Sequence, residues 1–471
     1  MRHATGSGVR DAGVARRAAA GVASVDLQRG RVMSTTDELR AVASDAFRQR
    51  VEPGRRLAAD AGRVAAACHD MALRFHSGGK LLVFGNGGPA TDAQHISVEF
   101  VHPVIVGKRA LPALSLVNDV ATVMGVARRH GFDAVFAHQL GVLGTPADIA
   151  LGVSADGNCG NVLRGLEQAH DAGMLTVALV GGDGGEIAGS PSVDHCFTVA
   201  SDNPRIVKEV HVTTYHVLWE LVHVFFDRPQ TLNEPAPDAA APAPGGVESL
   251  YPFLYAGTTS LTDVLAEVSR STVEKAAEIV ALREAVGDSQ CEQVARCAAV
   301  LADRFRDGGK LLAFGNGGSS TDASDIVHTF LDPNDAAPPL PALCLTSDAA
   351  VVTALSNDVS FDVVFARQVR AFGRTQDIAV GISTSGGSAN VLRAFDEAKA
   401  EGLATVGLAG YGGGKMAELE SLDFLFAVPS SSVHRVQEVQ TTLYHVLWEV
   451  TQAALSGDGV PDRAGRAGQP V

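Results

Sequence analysis

Short apolar runs recur along the chain, each closed by glycine or a polar residue. Between them, apolar residues return at every third or fourth position. The runs at 81–84, 113–117, 149–153, 176–180 and 195–199 read as buried strands. Helical spacing predicts helices over 37–47, 55–75, about 91–101 and 205–226. Strands alternating with helices predict parallel βαβ units stacked as a three-layer α/β/α sandwich, with ligands at the carboxyl ends of the strands.

The pattern then starts again. Residues 228–260 are rich in proline and alanine and read as an extended linker, with an apolar stretch at 251–255 suited to docking on one domain. Beyond it, Gly308-Gly-Lys-Leu-Leu-Ala-Phe-Gly-Asn-Gly-Gly318 repeats Gly78-Gly-Lys-Leu-Leu-Val-Phe-Gly-Asn-Gly-Gly88. Asp377-Ile-Ala-Val-Gly381 repeats Asp148-Ile-Ala-Leu-Gly152, and Tyr444-His-Val-Leu-Trp-Glu449 repeats Tyr215-His-Val-Leu-Trp-Glu220. Three matches in order at nearly one offset define a duplicated domain. The expected organisation is a leader at 1–36, a first domain at 37–227, the linker at 228–260, a second domain at 261–456 and a tail at 457–471. The fold class is two tandem three-layer α/β/α domains with parallel, flavodoxin-like sheets.

Composition narrows the function classes. A net charge of -15 over 471 residues argues against a general nucleic-acid or anionic-membrane binder. The six cysteines form no CxxC pair or zinc-type Cys/His pattern and read as small buried residues of a reducing, cytoplasmic compartment. No apolar run is long enough to span a bilayer. The Ala-, Gly- and Arg-rich start lacks a compact apolar signal core, so it reads as a disordered leader, or as residues ahead of a true start at Met33.

Candidate chemistry sits where strands hand over to helices. Gly381-Ile-Ser-Thr-Ser-Gly-Gly-Ser-Ala-Asn-Val391 offers the hydroxyls of Ser383, Thr384, Ser385 and Ser388 beside a helix N-terminus, as a phosphate cradle requires. The first-half counterpart, Ser154-Ala-Asp-Gly-Asn-Cys159, carries Asp156 and Cys159 in place of two serines. A helix N-terminus favours an anion by about 0.3–1 kcal/mol. Two like charges at ~4 Å repel by about 4 kcal/mol at an effective dielectric near 20, so Asp156 facing the pocket would exclude a phosphate. On the helix after Gly85-Asn-Gly-Gly88, His95 and Glu99 share one face at i, i+4 spacing, as joint ligation of a metal requires.

These motifs together resemble the SIS (sugar isomerase) domain, and within it the phosphoheptose isomerases, over nearly all of both halves. The resemblance implies aldose–ketose isomerisation of a sugar phosphate through an enediol, most simply sedoheptulose 7-phosphate. Glu99 would be the base and His216 the acid. A zinc ion would be held by His95, Glu99 and His216, with no nucleotide or organic cofactor. The family's fourth ligand, a Gln eight residues before the last-helix His, is replaced by Lys208 in the first half. Lys208 then becomes a candidate local cation paired with Glu99, and His102 a candidate substitute ligand. Lys208 and Arg205 read equally well as surface charges.

The resemblance extends to the second half, where Gln437 and His445 match the last helix. Asp325 and Thr329 stand at the ligand and base positions there, with His328 one residue out of place. Asn86, Asn316 and Ser319 match positions near the sugar phosphate, with Pro89 in the first half where the second has Ser319. Asp119 and Asp348 match a sugar-contacting Asp and read equally as helix N-caps. Each half has lost what the other kept, so the expected site is a composite of 383–388 with Glu99 and His216. Expected partners are a sugar phosphate and a second copy of the chain, the dimer mimicking a four-domain assembly, with no nucleic acid or membrane. The alternatives are a non-catalytic phosphosugar-binding regulator and an amidosugar-phosphate isomerase.

Overall fold

The computed structural model describes residues 35–105, 107–232, 260–333 and 337–456. Most of the leader, most of the linker with its 251–255 stretch, and the tail lie outside the described residues. In the first half, α1 (Thr36–Gln49), α2 (Val51–Arg56) and α3 (Ala61–His76) lead into β1 (Leu81–Gly85), α4 (Gly88–Val101) and β2 (Ala113–Ser115). Then come α5 (Val120–His130), α6 (Val135–Leu143), β3 (Ile149–Ser154), α7 (Gly160–Asp171) and β4 (Leu175–Gly181). The half closes with α8 (Gly185–Ala188), β5 (His195–Val199) and α9 (Pro204–Phe226). The second half begins with α10 (Leu261–Arg306), β6 (Leu311–Gly315), α11 (Gly318–Leu331) and β7 (Ala342–Cys344). It continues through α12 (Ala349–Asp358), α13 (Val364–Phe372), β8 (Ile378–Ser383), α14 (Ala389–Ala400) and β9 (Ala404–Gly410) to β10 (Phe424–Val428) and α15 (Val433–Ser456).

Each half forms a parallel five-stranded sheet, in the orders β2-β1-β3-β4-β5 and β7-β6-β8-β9-β10. The inner strands are buried along their whole length, which is why they read as continuous apolar runs rather than alternating ones. Helices cover both faces. The expected tandem three-layer architecture is the one found.

The cores do not follow the chain order. Leu39, Ala43, Ala46 and Phe47 of α1 pack into the second-half core with Ile279, Val286 and Val450. In return, Leu261, Val264 and Val268 from the start of α10 pack into the first-half core with Val64, Trp219 and Phe225. The halves therefore exchange their leading helices. The second half spans this exchange with a single 46-residue helix, about 69 Å at 1.5 Å per residue. In the first half the equivalent stretch breaks at Arg50, three residues before Pro53, which has no amide hydrogen to continue α1, and again in the 3-10 turn Leu57–Asp60. Gly54 lets α10 come close, since a Cβ there would lie 2.9 Å from Val280 Cγ2. No helix among the described residues is long and apolar enough to cross a membrane.

Phe47 tests the exchange, because it belongs to the first half in sequence and to the second in packing. Phe47→Ala is expected to cost about 3–5 kcal/mol in urea denaturation, the usual range for a buried aromatic. A loss below about 1 kcal/mol contradicts the packing described.

Candidate active site

The strand order reverses between β1 and β3, and between β6 and β8, and a crevice opens at the strands' carboxyl ends. Paired amides span each crevice. Asn86 and Asn161 exchange hydrogen bonds of 2.7 and 3.1 Å, and Asn316 and Asn390 exchange two of 2.9 Å. The helices that leave these crevices, α4 and α11, pack against one another and against α9 and α15. That four-helix junction brings polar side chains of the two halves together in two related clusters.

The first cluster is centred on α4. His95 Nε2 lies 3.4 Å from His216 Nε2, 3.5 Å from Glu99 Oε1 and 3.4 Å from the side-chain amide of Gln437. All four residues are buried. Gln437 comes from α15 of the second half and His216 from α9 of the first. Gly318, at the start of α11, closes over them: a Cβ there would collide with Gln437 and lie 2.8 Å from His95 Nε2. Supporting groups fix the orientations. His216 Nδ1 pairs with Glu438 Oε1 at 2.9 Å, leaving Nε2 turned to the cluster. His434 bridges Glu99 Oε2 at 3.2 Å and Glu220 Oε1 at 2.6 Å, and its ring stacks on His216 at 4.5 Å.

Protonation follows from these contacts. Burial, together with the charge of His434, pushes His216 down to about 4, so it is a neutral imidazole with a free lone pair. Burial works to raise the Glu99 pKa, but hydrogen bonds from His434 and His95 outweigh it and keep the carboxyl below its ordinary range. Burial likewise opposes charge on His434, yet Glu220 and Glu99 raise it to about 9.

This set suits a divalent metal. His95, Glu99 and His216 each turn a donor atom to one point, and all three lie within 4.8 Å of one another. Two nitrogen ligands of one tetrahedral zinc ion would lie about 3.3–3.4 Å apart, and the Nε2 atoms of His95 and His216 are 3.4 Å apart. Gln437 Oε1 is buried with no partner, and turning the amide over would present it to the same point.

The second cluster is centred on α11 and has a different composition. Asp325 occupies the place of His95, Thr329 that of Glu99, His445 that of His216 and Lys208 that of Gln437. The Lys208 ammonium donates to Gly88 O at 3.0 Å, Thr91 Oγ1 at 2.9 Å and Asp92 Oδ1 at 2.7 Å, and lies 3.4 Å from Asp325 Oδ1. Burial opposes its charge, but Asp325 and Asp92 outweigh burial and raise its pKa. Asp325 also accepts from Tyr444 Oη at 2.8 Å and Thr91 at 3.2 Å, with His445 at 3.3 Å. A cleft beside this cluster is lined by Pro89, Ala155, Arg205, Lys208, Asp325 and His328.

The loops at the strand ends divide in the same way. In the second half, Ser383 Oγ contacts Ser388 Oγ at 2.9 Å and Ser385 Oγ at 3.4 Å, so three hydroxyls converge. Thr384 O accepts from Gly410 N, and a Cβ at Gly410 would touch Val436, the residue before Gln437 in sequence. Ser319 is buried just after Asn316. In the first-half loop, Asp156 Oδ1 accepts from Asn158 N at 2.9 Å and Ser154 Oγ at 3.2 Å, occupying donors an anion would need.

Three sequence expectations change. Lys208 and Arg205 are buried, not surface charges. Lys208 pairs with Asp92 and Asp325 rather than Glu99, because α9 presents it to the first turns of α4, where α11 brings Asp325. Its apparent replacement of a ligand at His95 is therefore not a loss there, since Gln437 arrives from α15. His102 is exposed at the end of α4 and takes no part in the metal group. Asp119 and Asp348 both cap helices, accepting from Thr122 N and Val351 N at 3.0 Å. His434 was missed, although it lies one turn before Gln437 on the same helical face.

The SIS domain matches the chain twice, at residues 48–181 and 275–410, together more than half of its length, and the chain belongs to that family. The phosphoheptose isomerase of Nitratidesulfovibrio vulgaris strain Hildenborough is 44% identical over 186 residues, covering 39% of this chain and 88% of that protein. That of Thermodesulfovibrio yellowstonii is 40% identical over 179 residues, covering 38% and 88%. The tagatose-6-phosphate ketose/aldose isomerase from Escherichia coli superposes with a TM-score of 0.51 at 11% identity, covering 93% of this chain and 99% of that one, a likeness of fold.

Glu209, which orients His445, gives a pH test of the junction. Burial alone would raise its pKa, but Arg50 and His445 bring it down to about 2 from an ordinary 4.5. Its contribution is thus present above pH 4.5 and lost as pH falls toward 2, a difference of about 3 kcal/mol. Urea titrations from pH 6 downward should show a shallower acid loss for Glu209→Gln than for the native chain. Parallel curves would contradict this.

Proposed function

We propose that the chain is an aldose–ketose isomerase acting on a sugar phosphate at one composite site, and that its substrate is the seven-carbon sugar sedoheptulose 7-phosphate. The observation that carries this reading is the convergence of His95, Glu99, His216 and Gln437, drawn from both halves, beside the second half's Asn-Gly-Gly-Ser turn. The substrate class rests on the likeness to phosphoheptose isomerases.

In this reading Ser383, Thr384, Ser385 and Ser388 hold the phosphate, with Asn316 and Ser319 beside them. Ionised Glu99 removes the proton from one carbon and returns it to its neighbour, passing through an enediol. His216, neutral and backed by Glu438, faces the sugar oxygens between which the hydroxyl proton moves. His95, Glu99, His216 and Gln437 would hold a zinc ion, which when bound polarises the sugar oxygens as a Lewis acid. His434 keeps Glu99 charged and oriented. The regulator reading drew on Lys208, Asp325, Thr329 and Asp156; the first three line the other cluster's cleft, and Asp156 lies in the first-half loop.

Two experiments test the proposal. Sedoheptulose 7-phosphate offered to the purified protein should give the aldose product, with activity lost on chelation and restored by zinc. Tight, phosphate-dependent binding without turnover would favour the regulator. Separately, Glu99→Gln should lower kcat at least 10³-fold and keep sugar-phosphate binding within about threefold. Normal turnover in that variant rules out Glu99 as the base.

A further inference from the structure

The two clusters are related by the duplication, and position by position one is the other's counterpart. Their hydrogen-bond inventories differ in kind. Around His95 two imidazole Nε2 atoms lie 3.4 Å apart with no fixed cation among them, and Gln437 Oε1 is buried without a partner. Around Asp325 an ammonium stands among carboxylates, and Asp92 Oδ2 is left buried without a partner. An ammonium has three protons, and Lys208 places them on Gly88 O, Thr91 Oγ1 and Asp92 Oδ1. The carboxylate of Asp325 is approached by Lys208, Thr91, Tyr444 and His445.

The donor set around Asp325 does not fit a metal. Thr329 replaces the carboxylate ligand, and Lys208 puts a fixed positive charge where the amide oxygen would be. A second cation there would face the ammonium across a few ångströms of buried protein, where charge repulsion is strong.

We propose that Lys208 is a built-in replacement for the metal ion of the second site, so that each chain binds one divalent ion rather than two. Its ammonium reaches from α9 of the first half to α4 and to Asp325 on α11 of the second. The cross-link between halves is thereby kept at this cluster without any metal. The number of one rests on the reading of the His95 cluster as a metal site, whereas the exclusion at Asp325 does not.

The test is zinc binding to the metal-stripped full-length protein, followed by isothermal titration and by elemental analysis after desalting. The native chain should take up one zinc ion, and His95→Ala should take up none. The triple variant Lys208→Gln, Asp325→His, Thr329→Glu should take up two, and with His95→Ala added it should take up one. Two ions in the native chain, or one retained in His95→Ala, would overturn the proposal without any designed site having to fold. A folded triple variant, verified by circular dichroism, that gains no ion would also overturn it. No ion in the native chain but one in the triple variant would count against the His95 reading alone and support the exclusion by Lys208.

Discussion

Charged side chains buried between α9 and α15 are tied to partners on both halves of the chain, and the architecture depends on that pairing. Arg50, which caps the end of α1, meets Glu209 of its own half at 3.0 Å and Glu449 of the other half at 3.1 Å. Glu438 on α15 meets His216 on α9, while Glu209 meets His445 in return. Removing one partner of such a pair leaves an uncompensated buried charge, at a typical cost of about 3–5 kcal/mol. Neither half can therefore be drawn away without stranding charges, and the exchange of α1 with the start of α10 adds apolar burial to the same junction.

Duplication inside one chain changes what these pairings permit. Two identical domains must carry the same residues in both clusters. Two domains joined in one chain can differ, and here the differences are sorted. The residues able to bind a metal come together from both halves around His95, while Asp325, Thr329, Lys208 and Pro89 line the cleft of the other cluster. Read along the chain these substitutions look like damage shared between halves. In space they leave one cluster untouched.

The strands, the repeat and the layer order were legible because buried parallel strands write themselves as apolar runs and duplicated motifs align. His95, Glu99 and His216 were legible because their spacing and motif context are local. The origin of Gln437 was not: a helix periodicity places it on a face of α15 but says nothing about which half that face meets. Lys208 was misassigned for the same reason. His434 gave only a weak signal, since a histidine on a buried helix face has no pattern of its own until Glu99 and Glu220 close on it. The exchange of α1 was hidden because its apolar stripe suits either core.

The central claim is that the phosphate loop of the second half and the Glu99 cluster of the first serve one substrate. A crystal structure of the Glu99→Gln protein with sedoheptulose 7-phosphate tests it most directly. The account predicts one sugar per chain, its phosphate against Ser383, Thr384, Ser385 and Ser388 and its carbonyl end between residue 99 and His216. A phosphate seated instead beside Ala155 and Lys208 would contradict it.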